Sequence, residues 1–139
     1  MKYLLDTCVI SELLRKKPEP RVIGWLSEQE ERSLFLSILT LGELEKGIFK
    51  IPDGPLRRQL RNWIDLDLRK RFQDRILPVD GDVADRWGSL SGEAERKGEK
   101  VPVIDGLLAA TALTHGLTLV TRDIEHATPT TAIIFNPWL

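Results

Sequence analysis

The chain has a single cysteine, Cys8, so no internal disulfide can hold it together. That fits a reducing cytoplasm. No apolar run reaches the length needed to cross a bilayer. The stretch Met1–Leu5 meets an acid, Asp6, too soon for a signal peptide. The expectation is a cytoplasmic protein with no membrane attachment. An excess of one charge is missing too. A formal net charge of −1 argues against a generally basic nucleic-acid binder. It leaves room for local basic patches, and for a substrate phosphate held by metal instead. There is no phosphate-cradling P-loop and no dinucleotide glycine fingerprint. Nor is there a metal-binding pair of histidines: His115 and His126 are isolated, and His115-Gly116 closes a helix. Repeats, low-complexity tracts and linkers are absent. Residues 1–139 therefore read as one domain, large enough for a hydrophobic core.

What is present is an alternation of short β-rich runs with helical patterns. Strands are expected at Lys2–Leu5, Leu34–Ser37, Ile76–Val79, Leu117–Thr121 and Ala132–Phe135. A helix headed by Asp6 or Thr7 carries Val9, Ile10, Leu13 and Leu14 at helical spacing. Others are expected at Arg21–Gln29, Leu39–Ile48, Leu56–Phe72, Val83–Gly98 and Gly106–Thr114, with the clearest turn at Ile51–Pro55. This order implies an α/β fold: a mostly parallel sheet of about five strands with helices on both faces.

Asp6, Glu43, Asp105 and Asp123 are the informative residues. In a parallel sheet, ligands bind beyond the carboxyl ends of the strands. Asp6 and Asp123 follow expected strands, Glu43 lies on the helix after the second strand, and Asp105 heads a helix that is apolar almost all round. Each also has a structural reading. Asp6 and Asp105 suit helix caps, Thr40 and Glu43 match a capping box, and Asp123 suits a turn. Gathered together they would repel, at roughly 4 kcal/mol for a pair about 4 Å apart at an effective dielectric of about 20. Such a cluster needs raised pKa values or a hard cation such as Mg²⁺, which in turn binds phosphate. Arg122 suits a phosphate contact or the partner of an acid. The arginines of Leu56–Phe72 are diluted by Asp65 and Asp67, which favours a salt-bridged, solvated face over RNA contact, and the helix's apolar side suits a partner. Cys8 reads as a small packed residue.

The segments Leu5–Leu13, Ser37–Glu43, Asp105–Ala112 and Leu119–Asp123, in that order, resemble the motifs of PIN-domain ribonucleases. The similarity is to the VapC/FitB-type toxins of prokaryotic toxin–antitoxin pairs and extends from Leu4 to Trp138. The resemblance implies a PIN-like α/β/α sandwich and Mg²⁺-dependent endonucleolytic cleavage of RNA, with Mn²⁺ able to substitute. It assigns Asp6, Glu43, Asp105 and Asp123 to the metal and catalysis, with Thr7 and Thr121 as accessory polar groups. Many relatives carry Asn where this chain has Asp123, a change that keeps an oxygen ligand. The carboxylates would hold hydrated ions that activate water and stabilise charge on the phosphate, with Asp6 or Asp105 as proton acceptor. The resemblance further implies a homodimer, a cognate VapB/FitA-like antitoxin, and assembly of the pair on operator DNA. Two other readings stand beside this one. One is a PIN fold that only binds, against which the presence of all four acids argues; the other is a metal-dependent phosphatase of small molecules.

Overall fold

The computed structural model describes Met1–Leu139. Strands β1 (Tyr3–Leu5), β2 (Leu34–Ser37), β3 (Ile76–Leu77), β4 (Thr118–Val120) and β5 (Ile134–Phe135) form one sheet in the order β3-β2-β1-β4-β5. All four pairings are parallel, with Tyr3 opposite both Leu34 and Thr118. The expected strands are thus all found, with shorter edges. β3 stops at Leu77 because Pro78 has no N–H to extend a ladder.

The helices are α1 (Thr7–Leu13), α2 (Pro20–Glu28), α3 (Ile38–Phe49), α4 (Pro55–Asn62), α5 (Arg69–Arg71), α6 (Gly81–Arg96), α7 (Val103–His115) and α8 (Ile124–Ala127). The single helix expected over Leu56–Phe72 is interrupted: α4 passes through a π-helical stretch, Trp63–Leu68, before α5. α7 begins at Val103, earlier than expected, because Pro102 is suited to the position just before a first turn and Gly106 N–H already bonds its carbonyl. It ends, as expected, at His115 with Gly116 in the left-handed region (φ 66°).

Side chains alternate across a strand, and the core divides accordingly. Leu5, Leu34, Leu36 and Val120 face one layer, packed with Val9 and Ile10 of α1, Leu41, Leu44 and Ile48 of α3, and Ile64, Leu68 and Phe72. Leu4 and Leu119 face the other layer, packed with Leu108 and Ala112 of α7. The result is helices on both faces of a parallel sheet. On its other side α7 presents Ala109 and Ala110, both fully buried, to Val83 and Leu90 of α6, and small side chains let the two helices lie close. At Gly106 there is no room for a side chain, since a Cβ would stand 3.1 Å from the Trp87 ring.

Candidate active site

The strand order reverses between β1 and β4, and that is where a parallel sheet leaves a crevice. Asp6 leaves β1 there. Its backbone N–H bonds Val120 O of β4 at 2.9 Å, so the two strand ends are tied together. Its Oδ1 accepts from Thr7 N–H at 2.7 Å, and its Oδ2 accepts from Thr121 Oγ1 at 2.7 Å. Asp6 thus caps α1 with one oxygen and is held by Thr121 through the other.

Glu43 does not form a capping box. The N-cap of α3 is Ser37, whose Oγ accepts from Leu39 N–H at 3.0 Å, and Thr40 is buried inside the helix. Glu43 lies more than a turn further along and accepts instead from Thr7 Oγ1, at 2.5 Å. Asp105 does not cap α7 either. It lies in the first turn after Pro102, where the helix dipole favours a negative charge. Asp123 follows β4 and caps the short α8 that no sequence pattern had suggested. Its own N–H donates to Thr121 Oγ1 at 3.0 Å, so Thr121 bridges Asp6 and Asp123.

Asp6, Thr7, Cys8, Glu43, Asp105, Arg122 and Asp123 line one cavity of about 320 Å³. All four expected acids and both threonines are gathered there or bonded to it. Arg122 has no ion pair; its guanidinium lies 4.8 Å from the Trp138 ring centre, which leaves its donors for an anion. Cys8 packs as expected but also reaches the cavity, with Sγ 3.8 Å from Asp6 Oδ2 and 3.7 Å from Thr121 Oγ1. Burial and the Asp6 charge push its thiol up, so it stays protonated. Arginines from α4 onward are paired as expected: Arg61 with Glu45, Arg69 with Asp65, and Arg71 and Arg75 with Glu31.

The electrostatics follow from crowding. Burial raises the Asp6 carboxyl above its ordinary pKa, against the lowering effect of its bonds from Thr121 and Thr7, and the Asp123 charge raises it further. Asp105 is raised by burial, then by the charges of Asp123 and Asp6. One residue was missed by sequence reading: His126, taken there as isolated. Asp123 caps α8 and His126 lies three residues on, so the helix turns both the same way. Nδ1 of His126 lies 2.6 Å from Asp123 Oδ2 and 3.8 Å from Asp105 Oδ2. The bond to Asp123, followed by its charge, raises the imidazole above its usual pKa. The Asp-x-x-His spacing in Asp123–His126 was the available signal. Asp105, Asp123 and His126 each bring one ligand atom within 4.8 Å of the others, close enough to share a metal ion, with Asp6 and Glu43 lining the same cavity.

A parallel α/β sheet with acids gathered at its switch point defines the class, an α/β sandwich with a carboxylate-lined cavity. The chain belongs to the PIN domain family, whose profile matches residues 3–129. Toxin FitB of Neisseria gonorrhoeae is 36% identical over 135 residues, covering 97% of each chain. A VapC ribonuclease of Sinorhizobium fredii is 34% identical over 97% of this chain and 96% of its own. The crystal structure of FitAcB from N. gonorrhoeae superposes with a TM-score of 0.94 at 36% identity, covering 98% of both chains. The structure of FitAB bound to a DNA fragment also gives 0.94, at 34% identity over 99% of this chain and 96% of that one. The expected family and fold are borne out.

Proposed function

We propose that this chain is the ribonuclease toxin of a toxin–antitoxin pair, a metal-dependent endoribonuclease that hydrolyses RNA phosphodiester bonds and halts growth until neutralised. The observation that carries the proposal is the convergence of Asp6, Glu43, Asp105 and Asp123 on one cavity. These four hold the ion, Mg²⁺ with Mn²⁺ able to substitute, and residues 1–139 act as one domain. When bound, the ion supplies Lewis acidity toward the phosphate and makes water acidic enough to be a nucleophile near neutral pH.

The chain's own groups have separable tasks. Thr121 and Thr7 orient Asp6 by donating to its two oxygens, and Thr7 Oγ1 also donates to Glu43. Asp105 has no hydrogen-bond donor on either oxygen closer than the His126 ring at 3.8 Å, so an oxygen not engaged by the ion is open to accept the proton that water loses. Arg122 receives the phosphate, steadied by Trp138.

The same acidic cavity attracts a basic side chain of a cognate FitA/VapB-like antitoxin. An apolar groove near the site, lined by Leu14, Leu60, Trp63 and Leu66, is suited to that partner's peptide. The protein works in the cytoplasm as a homodimer and, as FitAB is bound to a DNA fragment, assembles with its antitoxin on operator DNA. No helix is long and apolar enough to cross a membrane. The test is cleavage of total RNA with and without EDTA, by wild type and by Asp6→Ala and Asp105→Ala. Loss of cleavage in EDTA and in both variants is expected. Equal cleavage in all samples overturns the proposal.

A further inference from the structure

Resting on the metal-binding reading above, we infer that His126 is a nitrogen ligand of the same ion, so the site prefers Mn²⁺ over Mg²⁺ more strongly than its carboxylates alone would. One oxygen each of Asp105 and Asp123 and a ring nitrogen of His126 lie within 4.8 Å of one another. Adjacent donors around a six-coordinate ion of this size stand about 3 Å apart, and opposite donors about 4.2 Å. The His126 nitrogen lies 2.6 Å from Asp123 Oδ2 and 3.8 Å from Asp105 Oδ2. For Nδ1 to ligate, the ion must displace the proton shared with Asp123, and movements of about 1 Å then open the Nδ1–Oδ2 pair and seat all three groups on one ion.

The local structure explains how the nitrogen arrives. Asp123 caps α8 and His126 lies in the turn that follows, so a carboxylate and an imidazole three residues apart point to the same place. Helices that chelate metal with a carboxylate and a histidine use the same spacing. The ring is about half exposed, at 49%, which leaves room for an ion's remaining waters. Imidazole is a poorer match for Mg²⁺, which favours oxygen, than for the later divalent metals. A nitrogen donor thus separates the two ions where carboxylates alone would do so less.

Pulsed electron paramagnetic resonance on Mn²⁺-loaded protein reads a directly bound nitrogen as a ¹⁴N hyperfine coupling. The coupling is expected in wild type and in His115→Gln, which removes the only other histidine, and is expected to vanish in His126→Ala. Calorimetry is expected to show His126→Ala binding Mn²⁺ about tenfold more weakly, since even an outer partner of a metal ligand is worth that much. Its Mg²⁺ affinity is expected to fall less. Binding of Mn²⁺ without a nitrogen coupling, or an unchanged ratio of Mn²⁺ to Mg²⁺ affinity in His126→Ala, overturns this inference and leaves the metal-site reading standing. Failure of wild type to bind Mn²⁺, or binding unaffected by Asp6→Ala, overturns both. His126→Asn keeps a polar group on α8 and checks that the loss is of the imidazole.

Discussion

Asp105→Asn is expected to stabilise the metal-free protein while removing its response to metal. Oxygens of Asp105 and Asp123 lie within 4.8 Å of each other. Two unit charges at that separation repel by about 3.5 kcal/mol at an effective dielectric of about 20, and by about 0.9 kcal/mol in bulk water. Asp123 is exposed and Asp105 partly so, which places the repulsion toward the lower end, about 1–2 kcal/mol. Against this, Asn loses the favourable interaction of a charge with the first turn of α7, about 0.3–1 kcal/mol. The balance is about 1 kcal/mol in favour of the variant, or about 3–4 °C in Tm for a chain of this length. The assay is thermal unfolding in EDTA at low salt and neutral pH, repeated with saturating Mn²⁺. Metal at about 100 times its Kd adds about 2.7 kcal/mol to wild type and little to the variant, so the ranking inverts. The pH dependence has a definite sign. The folded protein holds the Asp105 proton more tightly than the unfolded chain does, because burial and then the Asp123 and Asp6 charges raise its pKa. Wild type therefore gains stability as pH falls from neutral toward the raised folded pKa and on to the ordinary carboxylate value, and the gap to the variant closes. A variant that melts at or below wild type in EDTA, or that gains as much from Mn²⁺, refutes the reasoning.

Glu12 is 2% exposed and accepts from Glu19 N–H, Trp138 Nε1 and Arg15. Glu12→Ala strands two inward donors and is expected to cost about 2–4 kcal/mol in urea unfolding; a loss under about 1 kcal/mol contradicts it. Burial alone would raise this carboxyl, but the bonds from Glu19, Trp138 and Arg15 outweigh it and hold the pKa down, so the stability it contributes is present near neutral pH and lost as pH falls through the depressed value. Gly106→Ala forces a methyl against Trp87 and is expected to cost about 1–3 kcal/mol and weaken metal binding through Asp105. Gly88→Ala on the open face of α6 is expected to add about 0.5–1 kcal/mol, and equal effects at the two positions in the same unfolding assay would refute the packing argument. Arg122→Ala is expected to weaken RNA binding and to lower the slope of log affinity against log salt by about 0.7, read by filter binding with an Asp105→Ala background; an unchanged slope removes the phosphate role.

What the sequence made legible was whatever repeats with a period or follows a strand. The β-rich runs ending at Leu5, Ser37, Val79, Thr121 and Phe135 gave the strands, though β3 and β4 end earlier, at Leu77 and Val120, and the parallel order followed from the helices between them. The acids at strand ends, Asp6 and Asp123, could be placed because a parallel sheet sends every such end to one edge. Glu43 and Asp105 were gathered correctly but for a different local reason. Their capping roles were taken by Ser37 and by the Pro102 turn, choices that depend on where a helix starts by a margin of a few residues. The π-helical stretch at Trp63–Leu68 was invisible, since Ile64 and Leu68 fit an α-helical stripe equally well. His126 shows the deeper limit. Its partners Asp105 and Asp123 are distant from each other in sequence, and α8 is a turn too short to produce a periodic signal. The chain turns at Gly116 and runs back along α7 as β4, and the packing of Leu119 and Ala127 on Leu108 and Ala112 carries α8 to the head of α7. The Asp-x-x-His spacing pairs His126 with Asp123, but nothing in the sequence joins that pair to Asp105, so the chemistry His126 adds to the four acids is read once the fold is built.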